Sequence, residues 1–287
     1  MMSTCFMKKI ATITVIGKDK TGVVARVTAF LFAQGANIEG LEEQVTRGNF
    51  SMTIQASWLA SAWKPEKLQA GLEKLAKSLG MEIRMQMLSA NRRQRFALFV
   101  TKEEHAPKAI LEACRSGKLP AKPALVVSNR PELESLAKKH GVPFVKLDWN
   151  DKAKGEGEAL RILAEYEIDF VVLARFMKIL SPNFVWRFKN KIINIHPSLL
   201  PSFPGAQAYR QAYERGVKIA GVTAHFVTMN LDEGPIIAQG SFAVLPGMNL
   251  KDVVKAGQRL ESAVLIKAIK LYLAKHLDVY WGIVREV

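Results

Sequence analysis

The first 90 residues show hydrophobic patterns that switch twice between strand-like and helix-like spacing. Ile10–Ile16 is mostly apolar and β-branched, which predicts a buried strand. From Gly22 onward, apolar side chains recur on one helical face, and Gly35 favours the end of that helix. The same criteria predict strands at residues 37–46, 50–58 and 81–88, and a second helix after residue 65. The resulting order of elements is βαββαβ.

That order predicts a ferredoxin-like sheet with two helices on one face. The segment that follows, Ser89–Arg95, is polar and contains three arginines, which is typical of a linker. We therefore expect one domain over residues 1–90 and a second domain over residues 91–287.

Beyond residue 95, short apolar runs alternate with helical stretches. Strands are predicted at residues 96–100, 124–127, 143–147, 170–173 and 192–195, and helices at residues 107–115, 131–139, 155–166 and 182–188. This alternation is typical of a parallel sheet with crossover helices, so we expect a mostly parallel, Rossmann-like sheet. Two later strands, at residues 221–227 and 235–244, and an amphipathic helix at residues 250–273 complete the domain. The expected fold class is therefore α/β.

The composition of the chain indicates which kinds of partner it can bind. A formal charge of +15, from 41 basic and 26 acidic side chains, favours anionic partners. The densest basic run, Arg92–Arg95, is short and lacks interleaved aromatic residues, so no nucleic-acid partner is expected. No apolar stretch approaches the roughly 20 residues that span a membrane, and the amino terminus lacks a secretory pattern. We expect no membrane partner and a cytoplasmic location.

The sequence lacks the motifs that are typical of metal-binding and nucleotide-binding sites. The only cysteines, Cys5 and Cys114, are far apart, so we expect neither a disulfide framework nor a metal site. Val100–His105, which follows the first strand of the second domain, contains no Gly-x-Gly-x-x-Gly pattern, and the chain has no P-loop pattern. A nucleotide-dependent enzyme is therefore disfavoured.

Asn194 and His196 stand at the carboxyl end of a predicted strand, where open parallel sheets bind their ligands. Because side chains alternate along a strand, both point to the same side. An amide can donate to a developing oxyanion, and an imidazole can exchange a proton near neutral pH. Alternatively, both satisfy local backbone, and Asp232 is a turn aspartate before Glu-Gly-Pro. His225 is interpreted as structural support, because no neighbour in the sequence offers it a proton partner.

Taken together, these residues form a more specific pattern. Asn194, His196 and Asp232, with Ser198–Pro201 and the pattern Asp-x-Gly-Pro-Ile-Ile that begins at Asp232, resemble the active-site signature of the 10-formyltetrahydrofolate formyltransferase superfamily. The resemblance covers most of residues 96–275. It implies that Asn194 is an oxyanion donor, that His196 polarises the substrate and exchanges protons, and that Asp232 orients water and pairs with the histidine.

The segment Leu173–Ser181 looks like the folate-lining loop of the superfamily. The resemblance implies that Met177, Ile179 and Leu180 contact the pterin side of a folate. It also implies that 10-formyltetrahydrofolate is the substrate and that no cofactor is permanently bound.

The first domain resembles an ACT domain, a small-molecule-sensing module, through the loop Asp19–Gly22 and the segment Gly35–Ile38. The resemblance implies that a small amino acid, methionine or glycine, binds near Asp19, Gly22 and Asn37. It also implies a homo-oligomer, at least a dimer. Within the superfamily, an ACT domain in front of the formyltransferase-like domain is expected of deformylases.

The resemblance thus implies hydrolysis of 10-formyltetrahydrofolate to tetrahydrofolate and formate, regulated by an amino acid. Two alternatives stay open. One is transfer of the formyl group to an amine, which Pro197 directly after His196 favours, and the other is a catalytically silent folate or amino-acid sensor. Met229–Asn230 stands where acidic residues are common in the superfamily. The sequence also leaves open whether the role is supply of formate for purine synthesis or balance of the one-carbon pool.

Overall fold

The computed structural model of the chain describes residues 8–46, 48–87, 92–274, 277–280 and 282–286. The chain separates into two units, residues 1–92 and residues 93–287. The predicted linker, Ser89–Arg95, falls partly on residues 88–91, which lie outside the described residues, as does Cys5.

The first unit is a four-stranded antiparallel sheet with two helices. Its elements are β1 (Lys8–Lys18), α1 (Val23–Ala33), β2 (Asn37–Thr46), β3 (Asn49–Leu59), α2 (Pro65–Leu79) and β4 (Glu82–Met87). The strand order is β2-β3-β1-β4, and every pairing is antiparallel. The predicted ferredoxin-like arrangement is confirmed.

Helix α2 illustrates how the sequence sets these elements. Pro65 lies in its first turn, where a missing N–H leaves no hydrogen bond unmade, and Gly80 ends it with a left-handed φ of 55°. Leu68, Leu72 and Leu79 lie on one face of the helix and are buried in the core of the unit. This apolar stripe holds the helix against the sheet.

The second unit is a seven-stranded sheet followed by a hairpin. Its elements are β5 (Arg95–Val100), α3 (His105–Arg115), β6 (Lys122–Ser128), α4 (Glu134–Lys139), β7 (Phe144–Lys146), α5 (Lys152–Glu165), β8 (Phe170–Ala174), α6 (Pro182–Arg187), β9 (Ile192–His196), α7 (Ala208–Glu214), β10 (Ile219–Phe226), β11 (Ile236–Ala243), α8 (Leu250–Leu273), β12 (Leu277–Tyr280) and β13 (Ile283–Glu286). The prediction of a mostly parallel α/β sheet is confirmed. The sequence patterns did not predict α7 or the hairpin of β12 and β13.

The strand order of this sheet creates a crevice. The order is β11-β10-β9-β8-β5-β6-β7. Strands β5 to β9 run parallel, whereas β10 and β11 run antiparallel to their neighbours. The chain moves outward from β5 to β7 and then returns to β8, so the order reverses between β5 and β8. Open sheets bind ligands outside the carboxyl ends of the strands at such a reversal.

Strand β5 is buried on both faces, as a central parallel strand should be. Phe96, Leu98 and Val100 pack in a core with α3 and α8, whereas Ala97 and Phe99 pack in a second core with α5 and α6. The alternation of the two sets follows from the period of two along a strand. This packing on both faces fixes the strand end that opens onto the crevice.

No helix within the described ranges is long and apolar enough to cross a membrane. The longest of the described helices, α8, has 24 residues and carries charged side chains along its length. The cytoplasmic location stays a prediction from the sequence.

Candidate active site

Strand β9 presents Asn194 and His196 to a cavity at the carboxyl end of the sheet. The cavity has a volume of about 570 Å³, and both residues line it together with His225 and Asp232. Strand β10 runs antiparallel to β9, with His225 opposite Asn194 and Thr223 opposite His196. Two neighbouring strands therefore contribute polar side chains to one cavity.

Asp232 reaches the cavity from the loop between β10 and β11. Its Oδ2 atom lies 3.2 Å from Nδ1 of His196 and accepts a hydrogen bond of 2.8 Å from the backbone N–H of Gly205. Asp232 has a left-handed φ of 57°, a conformation that aspartate and asparagine tolerate better than most residues. The carboxylate is therefore aimed at the imidazole and held by a backbone donor.

Gly234 allows the loop that carries Asp232 to return against β10. A Cβ atom at Gly234 would lie 1.6 Å from the carbonyl oxygen of Phe226 and 3.2 Å from Nδ1 of His225. The backbone N–H of Phe226 donates to the carbonyl of Pro235 over 2.9 Å. The glycine in the pattern Asp-x-Gly-Pro is thus a packing requirement, because no side chain fits between the loop and the strand.

Both ring nitrogens of His196 face oxygen acceptors. Nδ1 faces the Asp232 carboxylate, and Nε2 lies 3.0 Å from the carbonyl oxygen of Phe203. A neutral imidazole has one N–H, so only the protonated ring donates to both acceptors. The Phe203 contact comes from the proline-rich loop after β9, in which Phe203 has a left-handed φ of 55°.

His225 has polar partners that its neighbours in the sequence do not indicate, so its interpretation as structural support alone was incomplete. Its Nε2 lies 3.1 Å from Nδ2 of Asn194 and 3.8 Å from Oδ1 of Asp232. Its Nδ1 lies 2.9 Å from the carbonyl oxygen of Phe226, so Nδ1–H donates there and Nε2 accepts from the Asn194 amide. Burial lowers the pKa of His225 below its ordinary value, against smaller opposing effects of the Phe226 carbonyl and Asp232. A neutral His225 therefore orients the Asn194 amide.

The predicted folate-contacting residues line one side of the cavity. Met177 and Ile179 are each 61% exposed, whereas Leu180 is buried and also packs into the core. The backbone N–H of Met177 donates to Oγ1 of Thr101 over 3.2 Å, which ties this loop to the end of β5. Exposed apolar side chains inside a cavity suit a ligand that has an apolar surface to bury.

The residues that depart from the superfamily pattern also lie at the cavity. Pro197, Met229 and Asn230 are among its lining residues. The Asn230 amide donates to Oε2 of Glu233 over 2.8 Å. An acidic group therefore remains beside this loop, although Asn230 itself is neutral.

The predicted effector residues do not come together within one chain. Asp19 and Gly22 precede α1 and Asn37 follows it, and a helix of 11 residues is about 16 Å long. A separate cavity in this unit, of about 290 Å³, is lined by Trp58, Lys64 and other residues, but by none of these three. An effector that contacts both ends of α1 at once would have to bridge that length or use a second chain.

Comparison with known families accounts for both units. A family model described as formyl transferase matches residues 94–269, and one described as ACT domain matches residues 9–86. The formyltetrahydrofolate deformylase of Bacillus subtilis (strain 168) is 38% identical over 267 residues, which cover 91% of this chain and 88% of that protein. The chain belongs to the formyltetrahydrofolate deformylase family. A second member, from Synechocystis sp., is 38% identical over 94% of this chain and 95% of its own length.

Solved structures of this family and of transformylases share the fold. A formyltetrahydrofolate deformylase from Pseudomonas syringae matches with a TM-score of 0.66 and 29% identity, over 99% of this chain and 96% of its own. Glycinamide ribonucleotide transformylase 1 from Symbiobacterium toebii also matches with a TM-score of 0.66, at 34% identity, over 70% of this chain and 96% of its own. The likeness to the deformylase thus extends over more of the chain.

Within the described residues, no group of three His, Cys, Asp or Glu side chains is arranged to hold a metal ion. Two imidazoles, an amide and a carboxylate, those of His196, His225, Asn194 and Asp232, are among the polar groups that line the cavity. These groups can bind a carbonyl oxygen, position water and move a proton.

Proposed function

We propose that this protein hydrolyses 10-formyltetrahydrofolate to tetrahydrofolate and formate. The observation that carries the proposal is the pairing of His196 with Asp232 beside Asn194, in one cavity of a chain that belongs to the deformylase family. The apolar loop of Met177, Ile179 and Leu180 would hold the pterin. Asn194, His196 and Asp232 together supply the groups that the reaction needs.

In the proposed mechanism, water attacks the formyl carbon while Asp232 orients it and accepts its proton. The carbonyl oxygen, which gains negative charge, takes hydrogen bonds from the Asn194 amide and from Nε2–H of His196. Substrate would replace the Phe203 carbonyl as the partner of Nε2. The bond between the formyl carbon and N10 then breaks, and His196 supplies the proton that N10 takes.

Transfer of the formyl group to an amine is the second candidate. Pro197 at the cavity and the likeness of the second unit to transformylases favour it. However, the relatives that cover about nine-tenths of the chain are formyltetrahydrofolate deformylases, whereas the transformylase covers 70% of it. Hydrolysis is therefore the function we propose.

A formate assay tests this proposal. Purified protein incubated with 10-formyltetrahydrofolate should release formate and tetrahydrofolate in equal amounts without an added amine. His196→Ala should lower kcat by at least about 100-fold, because the variant lacks one of the two oxyanion donors and the proton source. Formate release only in the presence of an amine, or turnover by His196→Ala close to wild type, would reject the proposal.

The ACT unit supports amino-acid regulation, which is also part of the proposal. We place the effector, glycine or methionine, near Asp19, Gly22 and Asn37, and we propose that ACT units of two chains pair in a homo-oligomer. The separation of these residues by α1 within one chain agrees with a site that two chains share. Formate release with and without each amino acid, and the mass of the assembly in solution, test both parts.

A further inference from the structure

A buried carboxylate lies behind the wall of the reaction cavity. The side chain of Glu261, in α8, is 0% exposed. Its Oε2 lies 2.8 Å from Nε2 of His105, and its Oε1 accepts a hydrogen bond of 2.8 Å from the Tyr209 hydroxyl. Arg175 Nε lies 3.9 Å from Oε2. A buried charge needs such partners, but the proposed mechanism assigns no role to this group.

The position of Tyr209 is fixed by α8. A Cβ atom at Gly257 would lie 2.2 Å from the Tyr209 hydroxyl oxygen, so the ring fits there only because residue 257 has no side chain. Burial, with the nearby Glu261 charge, raises the pKa of Tyr209 far above its ordinary value. The hydroxyl therefore stays protonated and donates to the carboxylate.

Arg175 lies next to strand β9, which carries Asn194 and His196. It directly follows β8, in which Leu173 pairs with Asn194, so Arg175 is placed beside the end of β9 that carries His196. Its φ is 62°, in the left-handed region that favours glycine. Its Nε is buried and makes no hydrogen bond in the structure. The side chain is therefore held by its charge interaction with Glu261 and by packing. Nε contributes no hydrogen bond.

Arg175 and Tyr209 separate the cavity from the carboxylate. Both line the cavity, whereas Glu261 and His105 do not. An opening at this wall would expose a carboxylate to the cavity, and carboxylates bind the hydroxyl and amino groups of a substrate. Arg175 and Tyr209 therefore cover a carboxylate, that of Glu261, to which a second substrate could otherwise bind.

We propose that Arg175, supported by Tyr209 and Glu261, closes this side of the cavity so that water, and no amine substrate, reaches the formyl carbon. The inference rests on the proposed hydrolysis and deepens it. Transformylases share the fold of the second unit, so the fold itself leaves room for an amine acceptor. Side chains that line the cavity, such as Arg175 and Tyr209, must then determine whether hydrolysis or transfer takes place.

Replacing Arg175 with glycine tests the role of this wall, with glycinamide as the added amine. In the transfer reaction, the glycinamide nitrogen bonds to the formyl carbon, the bond to N10 breaks, and the proton lost by the amine goes to N10. The measured quantity is the ratio of N-formylglycinamide to formate. The backbone of Arg175→Gly is free of strain at a φ of 62°, and Glu261 keeps His105 and Tyr209 as partners.

The expected ratio for Arg175→Gly is at least about 10-fold above wild type, since a change in pocket volume alters discrimination by such factors. Arg175→Lys keeps most of the bulk and the charge and should keep the wild-type ratio. If the substitution only destabilises the protein and leaves the site unaltered, Arg175→Gly will have a lower melting temperature but the wild-type ratio of N-formylglycinamide to formate. Equal ratios in Arg175→Gly and wild type would overturn the inference.

Failure of the proposed hydrolysis has a different signature. If the wild type releases no formate at all, the proposed function fails, whatever the variants do. If the wild type releases formate and the ratio of N-formylglycinamide to formate is the same in Arg175→Gly as in the wild type, only the proposed role of Arg175 fails. Arg175→Ala makes the same opening and is judged by the same ratio if the glycine variant does not fold.

Discussion

The Nδ1 atom of His196 lies 3.2 Å from an oxygen of Asp232, although 36 positions separate the two residues in the chain. The contact spans the end of β9 and the loop after β10. The same carboxylate oxygen accepts the backbone N–H of Gly205. The proline-rich loop and the loop of Asp232 therefore meet at this histidine.

Asp232→Asn should lower kcat for formate release by at least about 100-fold, because the amide cannot take the proton of the attacking water. Asparagine keeps an oxygen for the Gly205 N–H and tolerates the left-handed φ of 57°, so the loop should keep its shape. Steady-state kinetics and a melting curve check both statements. Asp278→Asn, at an exposed aspartate that does not line the cavity, is the control. A kcat of Asp232→Asn within a few-fold of this control would contradict the role of the carboxylate.

His225 should make folding less stable in mild acid. Burial lowers its pKa in the folded chain, so below the ordinary value of 6.5 the unfolded chain binds a proton that the folded chain does not. This contribution is absent above pH 6.5 and reaches at most about 1.4 kcal/mol per pH unit as the pH falls below it. Urea unfolding at pH 7.5 and pH 5.5 measures the change in the free energy of unfolding.

The variant His225→Gln provides the comparison, because glutamine does not titrate and still offers an acceptor to the Asn194 amide. The loss of stability between the two pH values should be smaller in His225→Gln than in the wild type. Equal losses would show that His225 titrates alike in the folded and unfolded chains, and the pKa argument would then be wrong.

Gly234→Ala should lower the free energy of unfolding by about 3 kcal/mol, because the new methyl group meets the Phe226 carbonyl. It should also reduce kcat, since the loop that carries Asp232 must move away. Gly157→Ala is the matched control, because no atom lies within 4 Å of the added Cβ and the residue is inside α5. That variant should gain about 0.5 to 1 kcal/mol. Similar stability of the two variants, measured by urea unfolding, would contradict the close approach.

Ile179→Ala should raise KM for 10-formyltetrahydrofolate about 10-fold and change kcat little, because burial of a large aliphatic side chain by a ligand contributes roughly 1.5 to 3 kcal/mol. Leu245→Ala is a matched control, since Leu245 is 60% exposed, close to the 61% of Ile179, and does not line the cavity. Initial rates over a range of substrate concentrations separate the two parameters. If both variants keep the wild-type KM, the folate does not lie on this loop.

Local pattern was sufficient for much of the fold. The βαββαβ order and the strand–helix alternation come from periodicities that act within a single element. The orientation of Asn194 and His196 toward one side follows from the period of two along β9. Helix α7 was not predicted, because its seven residues follow a proline-rich segment and are too few for a clear apolar stripe.

The parts of the site that depend on pairing between strands were harder to predict. His225 lies opposite Asn194 only because β10 is antiparallel to β9 in this register, and no local pattern fixes that register. Glu261 is separated by 86 positions from Arg175 and by 156 from His105, and a glutamate in an amphipathic helix gives no sign that it is fully buried. One signal was available for the cluster: Gly257 and Glu261 are four residues apart, so the small residue and the acid share a face of α8.

Hydrolysis in water enriched in oxygen-18 tests the central claim most directly. The protein is incubated with 10-formyltetrahydrofolate and no added amine, and the released formate is examined by mass spectrometry under single-turnover conditions. Attack of a water positioned by Asp232 predicts one labelled oxygen in each formate and an equal amount of tetrahydrofolate. Unlabelled formate, or a formyl group that leaves the folate only when an amine is added, would contradict it.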